Sequence, residues 1–311
     1  MRLHMVVDFQ YNYYRNKFSY EHGYARKRLS SVVDGVEVDT TYMYMTLKDI
    51  ESYRESLLVN KDGTTNEVYV SIVADSKHTE RKEIDKDYKS NRGGKLDADD
   101  FESIERTLNT LRNIGYNVYK EDGYEADDLI RELVLKTKDS FDLTIIYTND
   151  SDVLVNLDDT VGVNRFKSNL RKHILITKDN FSQIMGAEFK CDMPYNCIML
   201  YKCLVGDKSD KIAGVKGFGV KAFDRAVAII RENVGDAAFE KMTNAEYVDA
   251  ALVFLANCGR LSNIQIEEAR HSLQLVQFKS FERDLKEPEL LDSDEKRHTE
   301  YGKYSMFSLC K

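Results

Sequence analysis

Leu143-Thr144-Ile145-Ile146-Tyr147-Thr148-Asn149-Asp150-Ser151-Asp152 is an apolar run that ends in a pair of carboxylates. The stretch Leu143 to Tyr147 carries no charge and is rich in β-branched and aromatic side chains, as a buried strand is. The same pattern stands twice before it: Leu3 to Val7 stops at Asp8, and Glu67 to Ala74 is followed by Asp75. Helical periodicity separates these runs at Asp8 to Arg15, Thr46 to Leu58 and Phe101 to Leu111. Gly123-Tyr124-Glu125-Ala126-Asp127-Asp128-Leu129-Ile130 opens a further helix with three acids in its first turn, where the helix dipole favours them. Shorter strands are expected at Tyr116 to Tyr119, Val161 to Phe166 and His173 to Ile176. Strands alternating with helices predict an α/β fold with a mainly parallel central sheet, and such sheets bind ligands beyond the carboxyl ends of their strands. Asp8, Asp75 and Asp150 are therefore expected on one edge.

From about Asn180 onward the pattern is helical, which divides the chain into an α/β region, 1–180, and a helical region, 181–311. Helices are expected near Ala222 to Glu232, Ala245 to Ala256 and Asn263 to Leu275. Ahead of them stands Val205-Gly206-Asp207-Lys208-Ser209-Asp210-Lys211-Ile212-Ala213-Gly214-Val215-Lys216-Gly217-Phe218-Gly219-Val220-Lys221. Asp207 and Asp210 share a face if this segment is helical. Gly214, Gly217 and Gly219 would let backbone N–H groups meet a phosphate, with lysines nearby. A metal site joined to a phosphate grip explains the combination; the plain alternative is a solvated helix-turn-helix joint.

At 311 residues, 42% hydrophobic and 32% charged, the chain can bury a sizeable core, and no apolar run is long enough to cross a bilayer. Five cysteines without a CxxC pair point to free thiols in a reducing compartment, so a cytoplasmic location is expected. The six histidines have no ligand spacing. A net charge of −8 argues against a nucleic-acid partner only until its distribution is considered. Nine of the acids fall in the motifs above, and setting them aside leaves the remainder at +1. Basic residues cluster between Arg15 and Arg28 and between Lys77 and Lys95. Residues 76–100 are nearly free of large apolar side chains, too long for an ordinary connection, and read as a mobile basic lid.

Those nine acids are Asp8, Asp75, Glu125, Asp127, Asp128, Asp150, Asp152, Asp207 and Asp210. So many carboxylates share a pocket only if cations neutralise them, and oxygen ligands without Cys or His suit Mg2+ or Mn2+. Two such ions would polarise a phosphodiester and activate a water, the chemistry of a nuclease. Asp75, Glu125, Asp127, Asp128 and Asp150 are expected closest to the reaction.

The motifs Val6-Val7-Asp8, Ala74-Asp75, Tyr88-Lys89-Ser90-Asn91-Arg92, Tyr124 to Asp128, Thr148 to Asp152, Gly206 to Asp210 and Gly214 to Lys221 come in an order that spans residues 1 to about 230. In this the chain resembles the bacteriophage 5′ nucleases of the flap endonuclease superfamily, which include phage ribonuclease H-type enzymes and the 5′ nuclease domain of bacterial DNA polymerase I. The resemblance implies a PIN-like 5′ nuclease fold, with residues 76–100 as a helical arch that admits a single-stranded 5′ end. It places Lys89 and Arg92 against the scissile phosphate, with Tyr88 beside them in contact with DNA, and makes Lys89, Arg92, Asp75 and Asp150 catalytic. It makes residues 205–232 a helix-hairpin-helix in which Gly214, Lys216, Gly217, Gly219 and Lys221 hold the duplex backbone, with a K+ ion bound there.

Further implications are two or more Mg2+ ions, replaceable by Mn2+, and a monomer acting on branched or 5′-ended DNA and on RNA-primer/DNA duplexes during replication. The tail from Phe281 is either an exposed arm or a segment that meets replication proteins. No polymerase domain follows, which implies a stand-alone enzyme, in the host cell cytoplasm if phage-encoded. Phe9 and Ser151 stand where many relatives have glycine, which loosens the transfer of flap, exonuclease and RNA-primer preferences. The competing readings are a branched-DNA-binding protein without catalysis, which requires a missing ligand, and a PIN-type ribonuclease, which has neither arch nor hairpin.

Overall fold

The computed structural model describes residues 1–24, 27–92, 96–167, 170, 172–281, 285–291 and 294–310, so Arg26 and Lys95 of the basic clusters lie outside the described residues. In chain order the elements are β1 (Arg2–Asp8), α1 (Phe9–Glu21), a hairpin of β2 (Ser30–Val33) and β3 (Val36–Asp39), α2 (Thr41–Leu58), β4 (Glu67–Val73), one helical turn α3 (Arg81–Ile84), α4 (Ala98–Ile114), β5 (Asn117–Tyr119), α5 (Ala126–Thr137) and β6 (Leu143–Tyr147). A 3-10 turn at Asp152–Asn156 leads to β7 (Val161–Lys167) and β8 (Lys172–Ile176). Helices follow: α6 (Phe181–Phe189), α7 (Ile198–Leu204), α8 (Val220–Val234), α9 (Asp236–Phe239), α10 (Ala245–Asn257), α11 (Asn263–Val276) and α12 (Asp294–Lys303).

The main sheet runs β5-β4-β1-β6-β7-β8, parallel throughout except for β8. Strand β1 sits in the middle because its side chains are buried on both faces, as a parallel interior strand requires. Leu3, Met5 and Val7 pack with α2 and α4 residues such as Met43, Leu47, Ile104 and Leu108. Val6 packs on the opposite face with Leu129 and Leu133 of α5 and with Leu200 and Leu204 of α7. That second cluster continues through Phe223, Val248, Leu252 and Leu273, so the helical region shares its core with the sheet. The strand register pairs Asp8 with Val73 and Val7 with Tyr147. The ends of β1, β4 and β6 are thus level, and the chain runs from β1 to β4 on one side and from β6 to β7 on the other, the divergence that opens a ligand crevice.

The tail is no free arm: Tyr301, Met306 and Leu309 join the core of the α2–α4 face. Their burial compensates for ordering a mostly charged segment. Within the stretch 76–100, residues 76–92 are anchored at two points, since Arg81 is buried and Lys89 reaches inward. The segment from Asp207 to Ile212 is not helical: these two residues exchange backbone hydrogen bonds of 2.8 Å each, closing a tight turn with Lys211 at φ 60°.

Candidate active site

Each acid reaches the sheet edge by its own local device. Asp8 ends β1 and caps α1, its Oδ1 accepting from Tyr11 N (3.0 Å) and its Oδ2 from the Thr148 hydroxyl (2.7 Å). Asp75 follows β4, and its Oδ1 accepts from Ala126 N (2.7 Å) at the start of α5. Gln10 straps the same residue, its side-chain oxygen accepting from Asp75 N at 2.9 Å. Glu125 is the N-cap of α5, and its N–H donates to Asp128 Oδ2 (3.1 Å). After β6, Asp150 N bonds Thr148 Oγ1 (3.1 Å) and Asp150 Oδ1 accepts from Asp152 N (3.0 Å). The loop is latched by Asn149, whose amide makes two hydrogen bonds with the backbone of Phe166, and by buried Arg165, which donates to the Asn149 carbonyl (2.7 Å).

A groove of about 1510 Å3 opens along this edge. Its acidic floor is Asp8, Asp75, Glu125, Asp127 and Asp150; of the five acids expected closest to the reaction, Asp128 does not line it. Asp128 is wholly buried behind the floor because Arg81 holds it there. The aromatic wall comprises Tyr11, Tyr14 and Phe18 on one face of α1, with Lys17, Lys77 and Lys82 nearby. Tyr13, by contrast, is core.

Three internal cations divide the nine acids. Arg81 Nη1 lies 2.7 Å from Glu125 and 3.4 Å from Asp127, and its Nη2 lies 2.6 Å from Asp128 and 2.9 Å from the Gln277 carbonyl. Lys89, held at φ 51° and bonded through its N–H to the Asp210 carbonyl (3.1 Å), turns its ammonium onto Glu125 (2.8 Å) with Asp210 Oδ2 at 3.8 Å. Lys202 of α7 lies between Asp152 and Asp207. Among the described residues, Asp8, Asp75 and Asp150 form no ion pair. As the side chains stand, no group of three or more carboxylates among the described residues is set to hold one ion. The donor set still fits a hard divalent cation: all are oxygens, all converge on one edge, and ammonium and guanidinium groups stand in for the missing charge.

The electrostatics follow this division. Burial, then neighbouring Asp75, pushes Asp8 up to about 7, and Asp150 adds to the effect. Burial likewise raises Asp75, although Lys89 opposes it. Asp127 is raised by burial, while Glu125, though buried, is drawn below the usual carboxylate range by Lys89 and Arg81. Asp207 falls to about 2 because Lys202 outweighs its burial. Burial of the ammonium opposes charge on Lys89, but Glu125 keeps it protonated far into the alkaline range.

Tyr88 is buried and donates to Glu125 Oε2 (3.1 Å), so its ring supports the floor. Arg92 ends a 3-10 turn at Ser90–Arg92, and its side chain lies outside what is described. Gly206 and Gly214, at φ +92° and +67°, close the turn against each other, and a Cβ on Gly214 would meet Gly206 N at 2.5 Å. Gly217 and Gly219 face open space, with exposed Lys216 and Lys221 beside them and Gly219 at the start of α8. Arg81 and Lys202 are the functional residues that motif reading missed. Arg81 was one of many cations in a polar stretch, whereas Lys202 is the lone charge in the apolar run Ile198–Leu204, which was a usable signal.

Residues 4–186 match the family model for the 5′-3′ exonuclease N-terminal resolvase-like domain. The 5′-3′ exonuclease of Mycoplasma pneumoniae is 32% identical over 144 residues, 46% of this chain and 47% of that one. DNA polymerase I of Caldicellulosiruptor bescii is 33% identical over 159 residues, 50% of this chain and 18% of that one. The match thus spans less than half the length of either relative. Among solved structures, the bacteriophage T5 flap endonuclease in complex with DNA and metal ions superposes with a TM-score of 0.51 at 18% identity, covering 89% of this chain and 99% of that one. By its matched residues and its fold, the chain belongs to the 5′-3′ exonuclease family, whose N-terminal resolvase-like domain is found at residues 4–186.

Proposed function

We propose that the chain is a divalent-metal-dependent 5′ nuclease that hydrolyses phosphodiester bonds near 5′ ends and branch points of DNA, RNA-primed duplexes included. The observation that carries this reading is the groove floor, where acids from the ends of β1, β4 and β6 and from the first turn of α5 meet. The relatives' names point the same way, since they are 5′-3′ exonucleases and a flap endonuclease bound to DNA and metal ions.

Asp8, Asp75 and Asp150, with Glu125 and Asp127, would hold Mg2+ or Mn2+; Asp128, Asp152, Asp207 and Asp210 orient that set or serve a second ion. Bound there, such ions supply Lewis-acid activation of the phosphodiester and of the attacking water. Lys89 sits at the groove with its charge fixed and offers a donor to the oxygens on which charge develops. Tyr88 keeps Lys89 and Glu125 in register, and Arg92 follows on the same turn to add a second cation. Gly214, Gly217 and Gly219 with Lys216 and Lys221 would bind duplex phosphates at the start of α8, with K+ completing the hairpin. The protein acts as a monomer, and the opening between α1 and residues 76–92 receives the unpaired end.

A 5′-labelled flap duplex with Mg2+ tests this reading. Wild type should cut near the junction. Asp150→Asn should lose about a thousandfold in rate, equivalent to about 4 kcal/mol of transition-state stabilisation. Asp207→Asn should lose only about 10- to 100-fold, as an outer partner does. Equal cutting by all three would reject the ligand set, and shift of the flap without cutting by wild type would favour a DNA-binding protein.

A further inference from the structure

The acids of the groove are not equally in need of a cation. Asp8, Asp75 and Asp150 have no ion-pair partner among the described residues, and their mutual repulsion is what a divalent ion relieves. Asp152 and Asp207 are in the opposite condition. The ammonium of Lys202 lies between them, contacting Asp152 Oδ1 and standing 2.5 Å from Asp207 Oδ2. The side chain is buried, and it comes from α7, an element packed on both the 3-10 turn that carries Asp152 and the core of the sheet. The other oxygen of Asp207 is also taken, accepting from Ser209 N (2.8 Å) and Ser209 Oγ (2.6 Å).

We propose that Lys202 is a resident cation that closes the Asp152–Asp207 half of the groove, so that a second divalent ion enters only by displacing it. The inference rests on the metal-dependent reading above. An ion arriving from solution competes with a charge tethered to the same chain, whose effective concentration is far higher than that of a free cation. It must also leave a buried ammonium without a partner or drive it out of its seat, and either costs binding energy. At Asp8, Asp75 and Asp150 no cation of the described residues stands within ion-pair distance, Lys89 and Lys202 acting on Asp75 and Asp150 only from farther off, so the first ion has far less to displace. Occupancy is therefore sequential: one ion binds tightly in the resting protein, and the second binds weakly until Lys202 moves. The hydrogen bond from Asp152 N to Asp150 Oδ1 (3.0 Å) joins the two halves, so the first ion and Lys202 together keep the 150–152 loop in place.

Direct Mn2+ titration of the whole chain, followed by the paramagnetic resonance of the free ion, tests this without any turnover. Wild type should show one tight ion and a second at least tenfold weaker. Lys202→Met should bind the second ion at least tenfold more tightly than wild type does, and Lys202→Arg, which keeps the charge, should resemble wild type. Thermal melts add a second readout: Lys202→Met should melt lower than wild type without metal and gain more on Mn2+ addition. Lys202→Gln, which retains a donor, serves if the methionine variant does not fold. A second-ion affinity unchanged in the Met and Gln variants would overturn the role of Lys202 alone. Failure of every protein, wild type included, to bind Mn2+ would overturn it together with the metal-dependent reading.

Discussion

At the scale of single residues, Asp8 reports on the groove through its ionisation. Burial and two neighbouring carboxylates raise its pKa to about 7, against an ordinary value near 4. Between about pH 4 and pH 7 the folded chain holds a proton that the unfolded chain has released. The contribution to stability is therefore present at the low end of that window and is lost as pH rises through it. The metal-free protein should melt at progressively lower temperature between pH 5 and about pH 7.5, millimolar Mg2+ should restore much of the loss, and Asp8→Asn should flatten the slope. A melting temperature that rises across this window in chelator would contradict the assignment. Asp207 has the opposite sign, stabilising above the ordinary carboxylate range and losing its contribution as pH falls toward about 2. Most of the acids were legible in the sequence because they follow an apolar strand or open a helix, and Asp207 and Asp210 because they stand before the glycine-rich turn. Of their internal partners, Lys89 stood in a motif and Lys202 was the lone charge of an apolar run, but nothing local distinguishes the buried cation Arg81 from the solvated ones around it.

At the scale of elements, the turn before α8 and the segment before α4 behave differently from their composition. Gly206 and Gly214 are locked face to face, and alanine at either would place a Cβ within 2.6 Å of backbone atoms while φ is positive. Gly214→Ala should cost at least about 2 kcal/mol in denaturant unfolding. Gly219→Ala meets open space, and should cost about 1 kcal/mol or less while weakening duplex binding in a salt-dependent assay. The glycine spacing was legible; the non-helical path of Asp207 to Ile212 was not, because it depends on backbone pairing rather than on periodicity. Residues 76–100 were read as a lid from their charge, and what that reading did not show is how residues 76–92 are held. Arg81 ties them to α5 and to the chain after α11, and Arg81→Met should destabilise the protein by about 3 to 5 kcal/mol, since it leaves buried carboxylates unpaired. Arg81→Lys should rescue little, because one ammonium cannot reproduce the forked contacts.

At the scale of the whole molecule, the sheet order was not stated by the sequence, yet its consequence was: a parallel register levels the ends of β1, β4 and β6, so that acids far apart in sequence share one edge. The packing of the tail was not legible for a physical reason. Its helix α12 is mostly charged, but Tyr301 inserts in the core and donates to Glu51 Oε1 (2.6 Å), the same atom that accepts from Tyr116 (2.7 Å). Tyr301→Phe should cost about 2 kcal/mol in thermal or denaturant unfolding, as loss of a hydrogen bond to a charged acceptor does. The central claim is that these converging carboxylates seat a divalent cation in the groove. Crystals grown with Mn2+ test it most directly, through the anomalous difference density. The account predicts a peak at the groove floor, about 2.1 Å from oxygens of the Asp8, Asp75 and Asp150 group; a groove without such a peak, with Mn2+ scattered over other surfaces, would contradict it.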